Sequence, residues 1–291
     1  MLKWVKPVLI RGTTQLLGVI GSPVKHSKSP VMHNAAIAHL GLDYVYLPFP
    51  IAPASLADAV KGFEAISLKG FNITIPHKQT IMPLLSKVTD VARAIGAVNT
   101  VWRSESGWSG TNTDATGFLA PLKACDRDWG STPAVILGNG GAARAVVAAC
   151  HQLGCPEIWV VGRSADKLQA FLNSWQTSPL RPNLLVKPWD SLDRLLPQAG
   201  LVVNSTPVGM HPQIEASPLT VAQMETLPKD AIAYDLIYTP RPTQFLKQAA
   251  SLGLKTFDGL EMLVQQGAAA LEIWIGQPAP VGVMREALVR G

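Results

Sequence analysis

Ala134-Val135-Ile136-Leu137-Gly138-Asn139-Gly140-Gly141-Ala142-Ala143 is the stretch whose reading decides the fold. A short apolar run ends in Gly138-x-Gly140-x-x-Ala143 and passes at once into Ala145-Val146-Val147-Ala148-Ala149. Strand, tight turn and helix in that order turn a glycine pattern that is weak alone into a dinucleotide-binding fingerprint. Gly138 suits the turn, Gly140 lets backbone approach a pyrophosphate, and Ala143 lets helix pack closely on strand. The first N–H groups of the helix then face the phosphates, with Asn139, Gly141 and Ala142 in the same turn. Roughly 130 residues precede the motif, enough for a separate domain. The cofactor module therefore comes second, and another part of the chain holds the substrate.

The bulk numbers agree with an enzyme of two domains. The chain has 291 residues, 47% of them hydrophobic and 15% charged, the balance of a compact α/β protein rather than a disordered one. Its net charge is +5, yet no Lys/Arg-rich run occurs, so nucleic acid is not an expected partner. A mild positive bias suits small anionic ligands. Cys125, Cys150 and Cys155 form no CxxC pair and read as buried thiols of a reducing, cytoplasmic compartment. No apolar run reaches the ~18 residues of a membrane span. Lys6 and Pro7 interrupt what could have been a leader core at the N-terminus.

Both sides of the fingerprint alternate strands with helices. Leu16–Ile20, Tyr44–Phe49 and Gly70–Ile75 read as strands, the last stopped by Pro76. Helices are predicted over Ser29–Leu40, Pro53–Phe63, Lys78–Leu85 and Asp90–Ile95, followed by the strand Ala97–Trp102. After the fingerprint come Glu157–Val161, Leu201–Asn204 and Ala231–Leu236 as further strands. This βαβ rhythm predicts two open, mainly parallel sheets covered by helices. A final helix over Leu260–Ile275 carries a second apolar stripe, Met262, Ala269, Ala270 and Ile273, and should lie buried between layers, packing back on the first domain.

An NAD site places a carboxylate at the end of the second strand of its fold, where it accepts from the ribose. Here that place reads Gly162-Arg163-Ser164, with Lys167 close behind. A guanidinium and a hydroxyl suit a 2′-phosphate, so NADP is expected. Taken alone, Arg163 is equally well a solvated surface residue. Asn204-Ser205-Thr206-Pro207-Val208-Gly209 leaves the carboxyl end of a strand, where open α/β sheets bind ligands, although Pro207 and Gly209 could also mark an ordinary turn. Apolar residues near Leu236 could bracket a nicotinamide ring.

On the other side, polar residues gather at turns that a core would not need. Ser27 and Ser29 stand two apart in Gly21-Ser22-Pro23-Val24-Lys25-His26-Ser27-Lys28-Ser29-Pro30, so an extended loop aims both hydroxyls one way; Ser29 as a plain helix cap is the competing reading. Asn72 and Thr74 share a strand face that delivers Lys78 just beyond its end, where a lone lysine is usually solvated. Asp114, alone, reads as a helix cap. The histidines show no metal-ligand spacing and no GxSxG elbow occurs, so metal and nucleophilic hydrolase chemistry are not expected.

Eight motifs in order carry a resemblance to the shikimate dehydrogenase family. They are Gly21-x-Pro23-Val24-x-His26-Ser27-x-Ser29-Pro30-x-x-His33-Asn34, Asn72-Ile73-Thr74-x-Pro76-His77-Lys78, Gly96-Ala97-Val98-Asn99-Thr100 and Gly110-x-Asn112-Thr113-Asp114, then Gly138-x-Gly140-Gly141-Ala142, Asn204-x-Thr206-Pro207-x-Gly209-Met210, Asp235-x-x-Tyr238-x-Pro240 and Asp258-Gly259-Leu260-x-Met262-Leu263-Val264-x-Gln266. The resemblance implies reversible, NADP-dependent reduction of 3-dehydroshikimate to shikimate, in aromatic amino-acid biosynthesis. It implies Lys78 and Asp114 as the catalytic pair, and Ser27, Ser29, Thr74, Asn99, Tyr238 and Gln266 as residues gripping the substrate. Asp90, Leu236 and Gly259 match positions on the nicotinamide side, and Thr206 lies in the cofactor loop. Gly162 departs from the asparagine of many relatives. A free lysine titrates near 10.4, so an ammonium held beside a carboxylate can hand a proton to the reduced oxygen.

The expected organisation is a substrate domain over 1–114 that regains 259–291, and a Rossmann-type NADP-binding domain over 115–258. A quinate/shikimate dehydrogenase using NAD, a non-catalytic NADP-binding regulator of the same fold and, more remotely, a folate-linked dehydrogenase are the rivals; a homodimer is left open.

Overall fold

A computed structural model describes residues 9–290 as two units, one comprising the residues up to Thr113 together with those from Val264 on, the other Asp114–Leu263. The N-terminal stretch read above for a leader lies outside the described residues.

The first unit runs β1 (Gln15–Gly21), α1 (Ser29–Leu40), β2 (Tyr44–Pro50), α2 (Leu56–Ala65), β3 (Gly70–Ile73), β4 (Lys87–Val88), α3 (Asp90–Ile95), β5 (Thr100–Ser104) and β6 (Gly107–Thr111). Its sheet order is β2-β1-β3-β5-β6-β4, and β5 is the one strand running against its neighbours. Helix α1 starts with Pro30 in its first turn and stops at Gly41, whose φ of 65° is the left-handed cap that glycine adopts freely. In α2, Leu56, Val60 and Phe63 recur at i, i+4 and i+7 and bury together against Phe71 and Ile73 of the sheet. The helix expected over Lys78–Leu85 is instead a series of turns ending in a 3₁₀ turn at Met82–Leu84. Pro83 lacks an N–H and cannot sit inside an α-helix without loss of a bond, so the segment closes as turns.

The second unit contains α4 (Asp114–Lys123), β7 (Ala134–Leu137), α5 (Gly141–Leu153), β8 (Ile158–Gly162), α6 (Ala165–Asn173), β9 (Leu184–Pro188), α7 (Leu192–Leu195), β10 (Leu201–Asn204), α8 (Val221–Glu225), β11 (Ile232–Asp235), α9 (Gln244–Ser251) and β12 (Lys255–Phe257). All six strands are parallel in the order β9-β8-β7-β10-β11-β12. Counted from β7, that is 3-2-1-4-5-6, the doubly wound order of a Rossmann-type dinucleotide-binding domain, with its switch point between β7 and β10. Every residue of β7, β8, β10 and β11 is buried, as expected of strands covered on both faces. Arg144 of α5 is buried too; its guanidinium lies 5.6 Å from the ring of Phe171 and 5.1 Å from that of Trp175, and it donates to Ser174 Oγ, tying α5 to the end of α6.

Helix α10 (Gly259–Ile275) begins in the second unit's sequence and continues into the first, where α11 (Val281–Arg290) follows it. Within the first unit, Trp274 donates from Nε1 to the Val101 carbonyl at 2.9 Å, and a Cβ on Gly70 would collide with its indole. A Cβ on Gly267 would likewise meet Met32 of α1. The C-terminal helices therefore pack on the substrate-side sheet. The second apolar stripe is buried less far than expected: Ala270 is covered, whereas Ile273 is 38% exposed.

Candidate active site

In the first unit the chemistry gathers where β3 and β6 end and the antiparallel β5 begins. Asn99, just before β5, accepts at Oδ1 from the Thr113 backbone N–H (2.8 Å) and from Thr100 Oγ1 (2.9 Å). Its Nδ2 donates to Thr113 Oγ1 at 3.1 Å and to Gln266 Oε1 at 3.4 Å. The structure thus brings together Asn99 and Gln266, 167 positions apart. Asn72 sits behind them, its Nδ2 donating to the Asn99 carbonyl (3.2 Å) and to Thr100 Oγ1 (3.1 Å), while Tyr46 donates to Asn72 Oδ1 at 2.7 Å. All of these residues are buried. Tyr46, Asn72, Thr100 and Thr113 were not among the expected site residues; only the shared strand face of Asn72 and Thr74 hinted at one of them.

Thr74 follows β3 and is held by its N–H to the Ile20 carbonyl at 2.9 Å. A Cβ on Gly21 would collide with the Thr74 side chain, so that position must stay bare for the two loops to meet. His77 is buried and bonds from Nε2 to the Ile51 carbonyl at 2.7 Å, which pins the turn. Lys78, next in the chain, is half-buried, and its carbonyl accepts from Val98 at 2.8 Å. Ser27 and Ser29 are not splayed along an extended loop: the segment turns, and Ser27 Oγ accepts from the Ser29 N–H at 3.3 Å. Ser29 opens α1 buried, with Lys28 in the capping position, so it is not the helix cap. Asp90 stands apart from this cluster; its side chain is 97% exposed and pairs with Arg93 of its own helix at 3.3 Å.

Burial dominates the electrostatics. His33 is wholly enclosed, its ring stacked on Tyr46 with centroids 4.3 Å apart, and desolvation pushes its imidazole down to about 3, an effect only partly offset by Asn72. The Tyr46 phenol is held well above its ordinary range by the same cause and stays a neutral donor.

In the second unit, Gly138 takes φ +100°, and a Cβ there would come within 3.0 Å of Ser205 Oγ and Thr206. The turn after β7 therefore requires glycine for the protein's own packing. Gly140 differs. It precedes α5 with φ −83°, which any residue adopts, and a Cβ there would meet nothing within 4 Å. No side chain caps α5, so the N–H groups around Gly141 and Ala142 are offered outward next to a bare position, and Asn139 completes the turn. That cradle fits a pyrophosphate. Arg163, Ser164 and Lys167 are all exposed at the end of β8 and the start of α6, where Ser164 Oγ accepts from the Lys167 N–H at 3.4 Å and caps the helix. Gly162 packs its bare face on Leu168, which explains a glycine there.

Thr206 is bound into its loop, donating from Oγ1 to Asn204 Oδ1 at 2.7 Å. Asn204 in turn donates to Asp235 Oδ1 at 3.0 Å, and Thr243 donates to Asp235 Oδ2 at 2.7 Å. Burial raises the Asp235 carboxyl to about 6 against these hydrogen bonds, which favour the ion. Leu236 and Gly259 meet: a Cβ on Gly259 would overlap the Leu236 carbonyl. Tyr238, half-buried, follows two residues later. Asp114 is buried at the first position of α4, directly after the Thr113 that bonds Asn99. A cavity of about 550 Å³ opens elsewhere, at the amino ends of β7, β10 and β11, and takes in none of these residues. Among the described residues no helix is long and apolar enough to cross a membrane.

Residues 19–101 match the family model of the shikimate dehydrogenase substrate binding domain, and residues 259–289 that of the shikimate 5′-dehydrogenase C-terminal domain. The chain is 61% identical to a shikimate dehydrogenase (NADP(+)) of Microcystis aeruginosa over 97% of its own length and 99% of the relative's. The crystal structure of shikimate dehydrogenase from Aquifex aeolicus superposes with a TM-score of 0.86 at 38% identity, covering 97% of this chain and all (100%) of that one. Shikimate 5-dehydrogenase of Thermus thermophilus, solved in complex with NADP(H) and shikimate, gives a TM-score of 0.82 at 37% identity over 95% of this chain and 99% of the other.

Proposed function

The chain belongs to the shikimate dehydrogenase family, and from that premise we propose that it reduces 3-dehydroshikimate reversibly to shikimate with NADP(H). The observation that carries this reading is the carboxyl end of β8, where exposed Arg163, Ser164 and Lys167 occupy the place at which an NAD site carries a carboxylate. Those three would hold a 2′-phosphate, and the turn Gly138–Ala142 would hold the pyrophosphate, with Thr206, Leu236 and Gly259 shaping the remainder. When bound, the nicotinamide supplies the hydride.

The chain's own residues then have three tasks. Ser27, Ser29, Thr74, Asn99, Tyr238 and Gln266 are hydroxyl and amide groups that suit the hydroxyls and carboxylate of a small polyhydroxy acid. Lys78 gives the ketone oxygen its proton in reduction and takes it back in oxidation. Asp114 keeps that ammonium charged and oriented. Asp90, assigned to the nicotinamide side, is exposed and paired with Arg93 of its own helix. Cys150 and Cys155 are buried as expected, whereas Cys125 is partly exposed; all three are free thiols, which suits a cytoplasmic setting.

Initial rates with NADP⁺ and NAD⁺, each against shikimate and quinate, test the proposal. A preference for NADP⁺ with shikimate of tenfold or more, about 1.4 kcal/mol, is expected. Faster oxidation of quinate with NAD⁺ would replace the reading by a quinate/shikimate dehydrogenase. A flat absorbance trace at 340 nm in all four assays would leave a nucleotide-binding regulator.

A further inference from the structure

We propose that Tyr46 is a positioning residue for substrate recognition, because its hydroxyl anchors the buried end of the hydrogen-bond chain that runs to Asn99 and Gln266. This rests on the reading above that Asn99 and Gln266 grip the substrate. The phenol is enclosed (0% exposed) and clamped from several sides. Asn34 of α1 brackets its backbone, donating to the Tyr46 carbonyl at 2.8 Å and accepting from its N–H at 2.9 Å. His33 stacks on one face of the ring, and Trp274 lies tilted with centroids 5.9 Å away. The Ser29 hydroxyl interacts with the phenol oxygen as well.

An amide side chain can turn over by 180° and exchange donor for acceptor, and only its partners choose between the two states. Tyr46 has one hydroxyl proton, and it goes to Asn72 at 2.7 Å, which makes the contacting atom of Asn72 the oxygen. The two protons on Asn72 Nδ2 are then spent on the Asn99 carbonyl and on Thr100 Oγ1. Thr100 Oγ1 donates in turn to Asn99 Oδ1 at 2.9 Å and lies 3.2 Å from Thr113 Oγ1. The Thr113 N–H, which can only donate, reaches Asn99 Oδ1 at 2.8 Å. Asn99 is therefore held with its oxygen inward and Nδ2 turned toward Thr113 Oγ1 and Gln266. A substrate hydroxyl at this place meets a fixed pattern of donors instead of an averaged one.

Tyr46→Phe keeps the ring and the stacking and removes the hydroxyl, both the proton given to Asn72 and the oxygen that meets Ser29. Losing one neutral buried hydrogen bond, with the Asn72 oxygen left unpaired and the chain to Asn99 loosened, should raise KM for shikimate about five- to tenfold. kcat should stay within about threefold and KM for NADP⁺ should be unchanged, the signature of lost ground-state binding at one ligand. Thr100→Val cuts the next link and should do the same; it decides the matter if Tyr46→Phe does not fold. The coupling test is Asn99→Ala. Alone it should raise KM for shikimate, and adding Tyr46→Phe to it should cost nothing more. KM unchanged in both Tyr46→Phe and Thr100→Val, or effects of Tyr46→Phe and Asn99→Ala that multiply, would overturn the role of Tyr46 while leaving Asn99 as a substrate residue. An Asn99→Ala enzyme with normal KM would instead sink the assignment of Asn99, and this proposal with it.

Discussion

The two units solve opposite problems with buried polar groups. In the first, the enclosed groups are neutral: the phenol of Tyr46, the imidazole of His33, two asparagine amides and two threonine hydroxyls, joined by directed hydrogen bonds. In the second, charged groups are enclosed as well, among them the acid Asp235, tied to Asn204 and Thr243, and Arg144, bonded to Ser174, while the cations Arg163 and Lys167 stay at the surface. A site that must tell one small polyol from another needs donors and acceptors of fixed direction, which neutral groups supply without a charge to desolvate. A site for phosphate needs mobile surface cations and bare backbone, and the buried acid serves only to fasten the loop after β10.

The comparison breaks most visibly at the one charged group assigned to chemistry on the first unit. Lys78→Met should lower turnover by roughly 10²–10⁴-fold, the usual range for a general acid, with little change in affinity for shikimate. Turnover within threefold of the parent enzyme would demote Lys78 to a binding residue and leave the first unit with recognition alone.

Acid should then drive the units in opposite directions. For His33 the folded-state value is below the free one, so the unfolded chain takes up protons first, between about pH 6.5 and 3, and the first unit loses stability as pH falls. The complete loss is roughly 5 kcal/mol, from about 1.36 kcal/mol per pH unit. For Asp235 the folded value is above the free one, so its contribution is full below pH 3.8 and disappears as pH rises to about 6. Acidification should therefore firm the second unit by roughly 3 kcal/mol. Amide-exchange protection at Phe71 should fall, and that at Tyr234 rise, as pH goes from 7 to 4. His33→Gln and Asp235→Asn should each flatten one of the two trends; trends of the same sign in both units would mean that other groups dominate.

How far this division could be read beforehand depends on whether the signal was local. The strand Leu201–Asn204 and the helix Asp90–Ile95 fall where they were expected, since each is a run of suitable residues between clear stops. The helix expected over Lys78–Leu85 does not form, because Pro83 falls inside it and the segment closes as turns. In Tyr44-Val45-Tyr46-Leu47, Tyr46 reads as any aromatic strand residue; its partner Asn72 is 26 positions away. Asp235 stood in a motif, but nothing in its neighbours announced a buried acid, because the groups that enclose it come from β10 and the turn before α9. Hydrogen bonds across a sheet leave no periodicity in the chain.

The finest test concerns two glycines that look alike in Gly138-Asn139-Gly140. Gly138 is required by the protein itself, through a left-handed φ and the closeness of Ser205 and Thr206. Gly138→Ala should thus cost about 1–2 kcal/mol of stability, the usual cost of a non-glycine residue held at such a φ. At Gly140 the backbone is ordinary and the surroundings are open, so Gly140→Ala should leave the melting temperature within about a degree or even slightly raised. Its added methyl points into the space assigned to the pyrophosphate, and KM for NADP⁺ should rise while KM for shikimate stays put. Thermal melts and cofactor titrations of the two variants separate the roles. Equal loss of stability in both would make Gly140 a packing residue, and unaltered NADP⁺ kinetics in Gly140→Ala would move the phosphate site elsewhere along α5.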